Sequence, residues 1–129
     1  MAESMSIHDN DVLKYSVDFA GRELVLNTRD GEGRSVDIVF RGVAAYFLEN
    51  TVMGCVLLDI EEWEIDDLIS YLGEDYFLEH QEYGWPLEFA DMDELKAKVA
   101  ENGIKTYCLT SSYGMSGFIL ANSVQYSLK

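Results

Sequence analysis

From Val12 to Ala20 the chain alternates: Leu13, Tyr15, Val17 and Phe19 are apolar, and Lys14, Ser16 and Asp18 between them are polar. Successive side chains of an extended chain point to opposite faces, so a period of two predicts a half-buried strand. Ala20-Gly21-Arg22 reads as a tight turn. Leu24 and Leu26 carry the alternation on to Arg29, Asp30-Gly31-Glu32-Gly33 tolerates positive φ, and Val36, Ile38 and Phe40 resume the pattern. The spacing predicts a three-stranded meander. Val43 to Leu48 and Cys55 to Ile60 are more continuously apolar, as strands buried on both faces or a hairpin closed by Asn50 to Gly54 would be.

The period then changes. Ile65, Leu68, Ile69 and Leu72 fall at i, i+3, i+4 and i+7, the stripe of an amphipathic helix over Glu64 to Leu72 that Gly73 stops. Asp91-Met92-Asp93-Glu94 offers a helix start in which Asp91 accepts from the third helical amide, Leu95 and Val99 supply the apolar side, and Asn102-Gly103 the end. Ile104 to Thr110, Gly117 to Ala121 and Val124 to Leu128 return to strand composition, with Ser111-Ser112-Tyr113-Gly114 as a hairpin loop. Strands, then helices, then strands predict a single α+β domain over residues 12–129. Its mostly antiparallel, curved sheet has seven or eight strands, and two helices cover one face or end. Residues 1–11 are expected to form a flexible N-terminal segment.

Charge changes the picture. The chain has 129 residues and a net charge of -15, and between Gly42 and Leu95 it has no lysine or arginine while holding fifteen of the twenty-four carboxylates. The flanks balance, nine acids against nine bases. A hydrophobic fraction of 48% rules out reading this acidity as disorder, which also requires low hydrophobicity. The balance argues against unaided binding to nucleic acid or to anionic membranes, because phosphate binding depends on Lys and Arg releasing counterions. Cys55 and Cys108 sit far apart in apolar runs and read as small buried residues of a reducing compartment. With no signal-like N-terminal run and no apolar stretch of membrane-spanning length, the expected location is cytoplasmic.

Candidate chemistry is sparse. Asp59 to Asp67 could supply oxygens to a hard cation, yet Ile60, Trp63 and Ile65 interrupt it and no glycine turn gives it loop spacing, so a helix start is the simpler reading. His8 and His80 lie among polar residues without a zinc-type partner set. Ser111 to Gly117 lacks the spacing of a nucleophile elbow, and Glu94-Leu95-Lys96 points its charges apart on a helix. No catalytic, cofactor or metal residue is therefore assigned. Like-charge repulsion contributes nothing to folding, so the base-free acidic stretch points to a basic protein partner, steered by charge and held by aromatic anchors. Glu61, Glu62, Trp63, Glu64, Asp66 and Asp67 are the steering candidates, and Tyr76, Tyr83 and Trp85 the anchors. A metal-dependent hydrolase built from the same carboxylates, and a homo-oligomeric module using exposed strand edges, are the alternatives.

Phe40-Arg41-Gly42-Val43, Tyr46-Phe47-Leu48, Leu58-Asp59-Ile60-Glu61-Glu62 and Ser111 to Phe118 together form a pattern that resembles small bacterial immunity proteins of toxin systems. The likeness covers most of the chain. It implies a compact, cytosolic, non-enzymatic protein that inactivates a cognate toxin by covering its active site. A nucleic-acid-cutting toxin has a basic cleft that an acidic binder can occupy. The resemblance assigns no individual site residue.

Overall fold

The computed structural model describes residues 9–49, 53–81, 85 and 87–128. The order is β1 (Asp11–Asp18), β2 (Glu23–Arg29), β3 (Ser35–Arg41), β4 (Ala45–Glu49), β5 (Val56–Trp63), α1 (Ile65–Leu72), α2 (Glu74–Glu79), α3 (Met92–Glu101), β6 (Lys105–Tyr113), β7 (Ser116–Ala121) and β8 (Ser123–Leu128). All eight strands pair antiparallel in one sheet ordered β4-β7-β6-β5-β1-β2-β3-β8, giving an α+β fold. The predicted meander is β1-β2-β3.

The sheet turns a corner. β3 runs into β4 through residues 42–44 and β7 into β8 through Asn122, and pairing continues across both bends. The Ala44 amide donates to Leu120 O at 2.8 Å, and the Asn122 amide donates to Arg41 O at 2.9 Å. Strands that bend and switch partners in this way let two halves of a sheet face each other. Between the halves lies a first core of Leu24, Leu26, Ile38, Phe40, Leu57, Tyr107, Leu109, Met115 and Ile119. The helices cover the opposite face of β6 and β7, where Leu68, Ile69, Phe77, Phe89, Leu95 and Val99 meet Cys108, Phe118 and Leu120 in a second core. Both faces of β6 and β7 are thus buried, which is why they read as continuous apolar runs. Gly117 sits where β4 passes closest, since a Cβ there would lie 1.9 Å from Phe47 O.

Several expectations change. β4 and β5 are not a hairpin, because β4 pairs with β7 and β5 with β6; of the connection between them, Asn50–Val52 lie outside the described residues. Among the described residues a third helix joins the two predicted, α1 and α3. The added α2 is six residues long, too short for its period to stand out. The β6–β7 turn is tighter than predicted, and β6 extends to Tyr113. Asn10, placed by sequence in a flexible segment, is buried and donates to Thr28 Oγ1 at 3.1 Å; Met1–His8 lie outside the described residues. The even alternation of β1 is broken by a register shift between Val12 and Lys14. Val12 and Val17 pack on the first core while Leu13 and Phe19 are exposed. Cys55 and Cys108 are both buried, one in each core.

Candidate functional site

The helix-bearing side of the sheet gathers most of the predicted steering residues. Pairing across β5 and β6 sets Glu61 opposite Cys108, whose outward face lies in the second core, and Glu62 opposite Tyr107, whose ring lies in the first. Adjacent strand positions point to opposite faces, so Glu61 joins the helical side and Glu62 leaves it. The electrostatics agree. Burial, then Glu61, pushes the Cys108 thiol up, and burial followed by Glu62 does the same to the Tyr107 phenol.

Glu64 begins α1 and is exposed. Its amide donates to Asp67 Oδ2 at 3.1 Å, so Asp67 satisfies one of the backbone groups left over at the helix start. Asp66 Oδ1 is 2.8 Å from Lys96 Nζ on α3. That hydrogen bond and the Asp66 charge hold the Lys96 ammonium above its ordinary range, with Asp93 and Glu74 adding to the effect. A lysine absent from the acidic stretch in sequence is therefore folded back into it. Asp91 accepts from the Glu94 amide at 2.9 Å, as predicted, and Glu94 accepts from the Ala90 amide at 2.6 Å. Glu61, Glu64, Glu74, Asp75 and Glu79 remain exposed on the acidic side.

The aromatic residues divide. Trp63 is partly buried against Phe118 and Tyr71, at ring-centroid distances of 5.3 and 5.9 Å. Tyr76 is partly buried and packs against Phe47, Phe77, His80 and Trp85. Burial, with a lesser contribution from Glu49, raises its phenol. Trp85 packs on Phe77 and turns an edge toward a cleft of about 500 Å³ shared with Phe19, Arg22 and Leu87. The backbone of Arg22 is left-handed (φ 53°), and its carbonyl accepts from the Val43 amide at 2.9 Å, which sets the β1–β2 turn against the β3–β4 bend. Tyr83 lies outside the described residues. Tyr76 and Trp85 thus belong to a packed aromatic group that opens on this cleft.

Sequence reasoning missed Tyr71, which is 67% exposed beside Trp63. It falls off the Ile65-Leu68-Ile69-Leu72 stripe, and that offset is the signal that could have found it. Exposed Leu78 on α2 is similar. Among the described residues no group of three His, Cys, Asp or Glu side chains is placed to hold a metal ion, and no helix is long and apolar enough to cross a membrane. Comparisons of the chain with family models, with curated proteins and with solved structures return no match.

Proposed function

We propose that this chain is a non-enzymatic acidic binding protein of the immunity type, which sets its helical face into the basic cleft of a partner such as a nuclease toxin. One observation carries the reading: Glu61 on β5, Glu64 at the start of α1, and Glu74, Asp75 and Glu79 on α2 are all exposed, and on α1 Tyr71 is exposed beside Trp63. Such a field speeds encounter with a cationic surface, and a half-supported aromatic ring then supplies contact area at low entropic cost. Asp66 and Asp67, engaged with Lys96 and the α1 start, hold the face together. Glu62 acts from the other side of the sheet and takes no part. Tyr76 and Trp85 support the face from beneath.

The test uses a basic protein captured on the immobilised chain at low salt and then purified. Association is followed by stopped flow across a range of ionic strength. The on-rate of the wild type falls steeply with salt. Changing Glu61, Glu64, Glu74 and Asp75 together to their amides slows association by about tenfold or more at low salt and flattens the salt dependence. Unchanged association of that variant would reject the reading.

A further inference from the structure

We propose that the free edge of β1 pairs antiparallel with β1 of a second copy of this chain, two-fold about Ser16. β1 is bonded to β2 along its length, but to β5 only around Asp11 and Val56. From Leu13 to Asp18 its other edge has no strand beside it among the described residues. Leu13 is 52% exposed, Tyr15 39% and Phe19, just past the strand, 79%. An unpaired edge is a template for another strand unless charge or covering blocks it.

Lys14 would be such a block in most registers. Centring the two-fold axis between Tyr15 and Ser16 sets Lys14 against Val17 and Leu13 against Asp18 of the other copy. Centring it between Ser16 and Val17 sets Lys14 against Phe19 and Tyr15 against Asp18. Axes through Tyr15 or Val17 leave both charges facing neutral or apolar residues. Only the axis through Ser16 places Lys14 opposite Asp18, Tyr15 opposite Val17 and Leu13 opposite Phe19, each pair occurring twice by symmetry. Asp18 Oδ1 already accepts from the Gly21 amide at 2.9 Å, which leaves Oδ2 for the incoming ammonium. The same register lays Phe19 of the second copy beside Leu13. There a hollow of about 270 Å³ opens between Leu13, Tyr15, Met53 and Met115. Knob and hollow lie on one strand, so each copy offers both.

β1 lies outside the acidic stretch, and the dimer uses none of the carboxylates assigned above to a basic partner. Two molecules of charge -15 nevertheless repel, so added salt screens that repulsion and tightens the dimer. A basic partner responds to salt in the opposite sense, which keeps the two associations distinguishable.

Sedimentation velocity on the full chain, over concentration and at low and high salt, is expected to show a monomer–dimer equilibrium that strengthens with salt. Lys14→Glu, which sets like charges against each other at two places, raises the dissociation constant by about tenfold or more. The swap Lys14→Glu/Asp18→Lys restores it. The exposed residue at the axis gives the sharpest reading. On mild oxidation Ser16→Cys forms a covalent dimer far faster than a Ser70→Cys control on α1, with circular dichroism unchanged. A chain monomeric under every condition, or a Ser16→Cys variant that cross-links no faster than the control, would overturn the pairing.

Discussion

A Cβ placed on Gly42 would lie 2.0 Å from Oδ1 of Asn122, so the bend after β3 and the bend after β7 meet where neither has room to spare. The Asn122 amide group reaches the other way, donating to Asn102 O at 2.7 Å and to Gly103 O at 3.0 Å. One side chain thus ties the corner of the sheet to the end of α3. Through Leu95 and Val99, α3 in turn closes the second core beneath the acidic face.

Gly42 has φ 66°, a conformation that costs a side-chain-bearing residue about 1–3 kcal/mol, and the close approach adds overpacking of similar size. Gly42→Ala is therefore expected to lower the urea-unfolding free energy by about 2–6 kcal/mol. Asn122→Ala, which loses two exposed hydrogen bonds, should cost about 1 kcal/mol. The double variant should be more stable than the sum of the two losses implies, because the clash with Oδ1 is gone. Strict additivity would show that the two bends do not share this contact.

The acidic residues should separate into two groups when measured. Asp91→Ala removes an acceptor at the start of α3, and Asp67→Ala one at the start of α1; each should lower stability by about 1 kcal/mol. Glu64→Gln and Glu74→Gln leave the fold within about 0.5 kcal/mol of wild type while slowing association with a basic partner. Thermal unfolding and stopped flow on the same four proteins check the division. Slower association in the Asp67 variant alone would assign steering to the helix start instead.

Much of this architecture was legible in the sequence. The meander, α1 and the Asp91 start of α3 carry their signals within one element, in a period or a local cap, and these the structure shows. What was not legible depends on which strand lies next to which. Apolar runs at Val43–Leu48 and Cys55–Ile60 suit a hairpin as well as two separated strands, and the choice is made by β7 and β6, which come about sixty residues later in the chain. The opposite placement of Glu61 and Glu62 follows from strand alternation once β5 is known to extend to Trp63. The period change at Glu64 concealed that extension. The Lys96–Asp66 pair joins two helices and has no sequence signature at all.

Tyr71 should separate binding from folding. Its ring rests on Trp63 and Phe118 at 5.9 and 5.5 Å, each contact worth about 0.5–1.5 kcal/mol, so Tyr71→Ala is expected to lower stability by about 1–3 kcal/mol. As an anchor among exposed acids it should lower affinity for a basic partner by about 2 kcal/mol or more. Trp63→Ala, by contrast, opens the second core and should destabilise by about 3 kcal/mol. Calorimetric binding beside urea unfolding checks the pair, and a Tyr71→Ala protein that binds like wild type would leave the acidic face without its central contact.

Alkaline pH gives the last test, because the groups the fold perturbs at that end all shift the same way. Burial raises the phenols of Tyr107, Tyr126 and Tyr76 and the thiol of Cys108, with smaller contributions from Glu62 and Tyr126, from Asp59, from Glu49 and from Glu61 respectively. The bond to Asp66 raises Lys96. A group that holds its proton more tightly in the folded than in the unfolded chain contributes stability below its unfolded value. That contribution is lost as pH rises toward the folded one. Unfolded values of about 8.5 for Cys and about 10 for Tyr and Lys set the start of the window. Stability should thus hold from neutral pH to about 8.5 and then fall progressively, with part of the tyrosinate absorbance appearing only as the chain unfolds. Glu62→Gln removes a carboxylate beside Tyr107 and should move that part of the titration down, toward the ordinary phenol value, and Asp59→Asn should do the same for Tyr126. If Glu62→Gln leaves the Tyr107 titration unmoved, Glu62 does not face that ring, and the division of Glu61 and Glu62 between the two faces of the sheet fails with it.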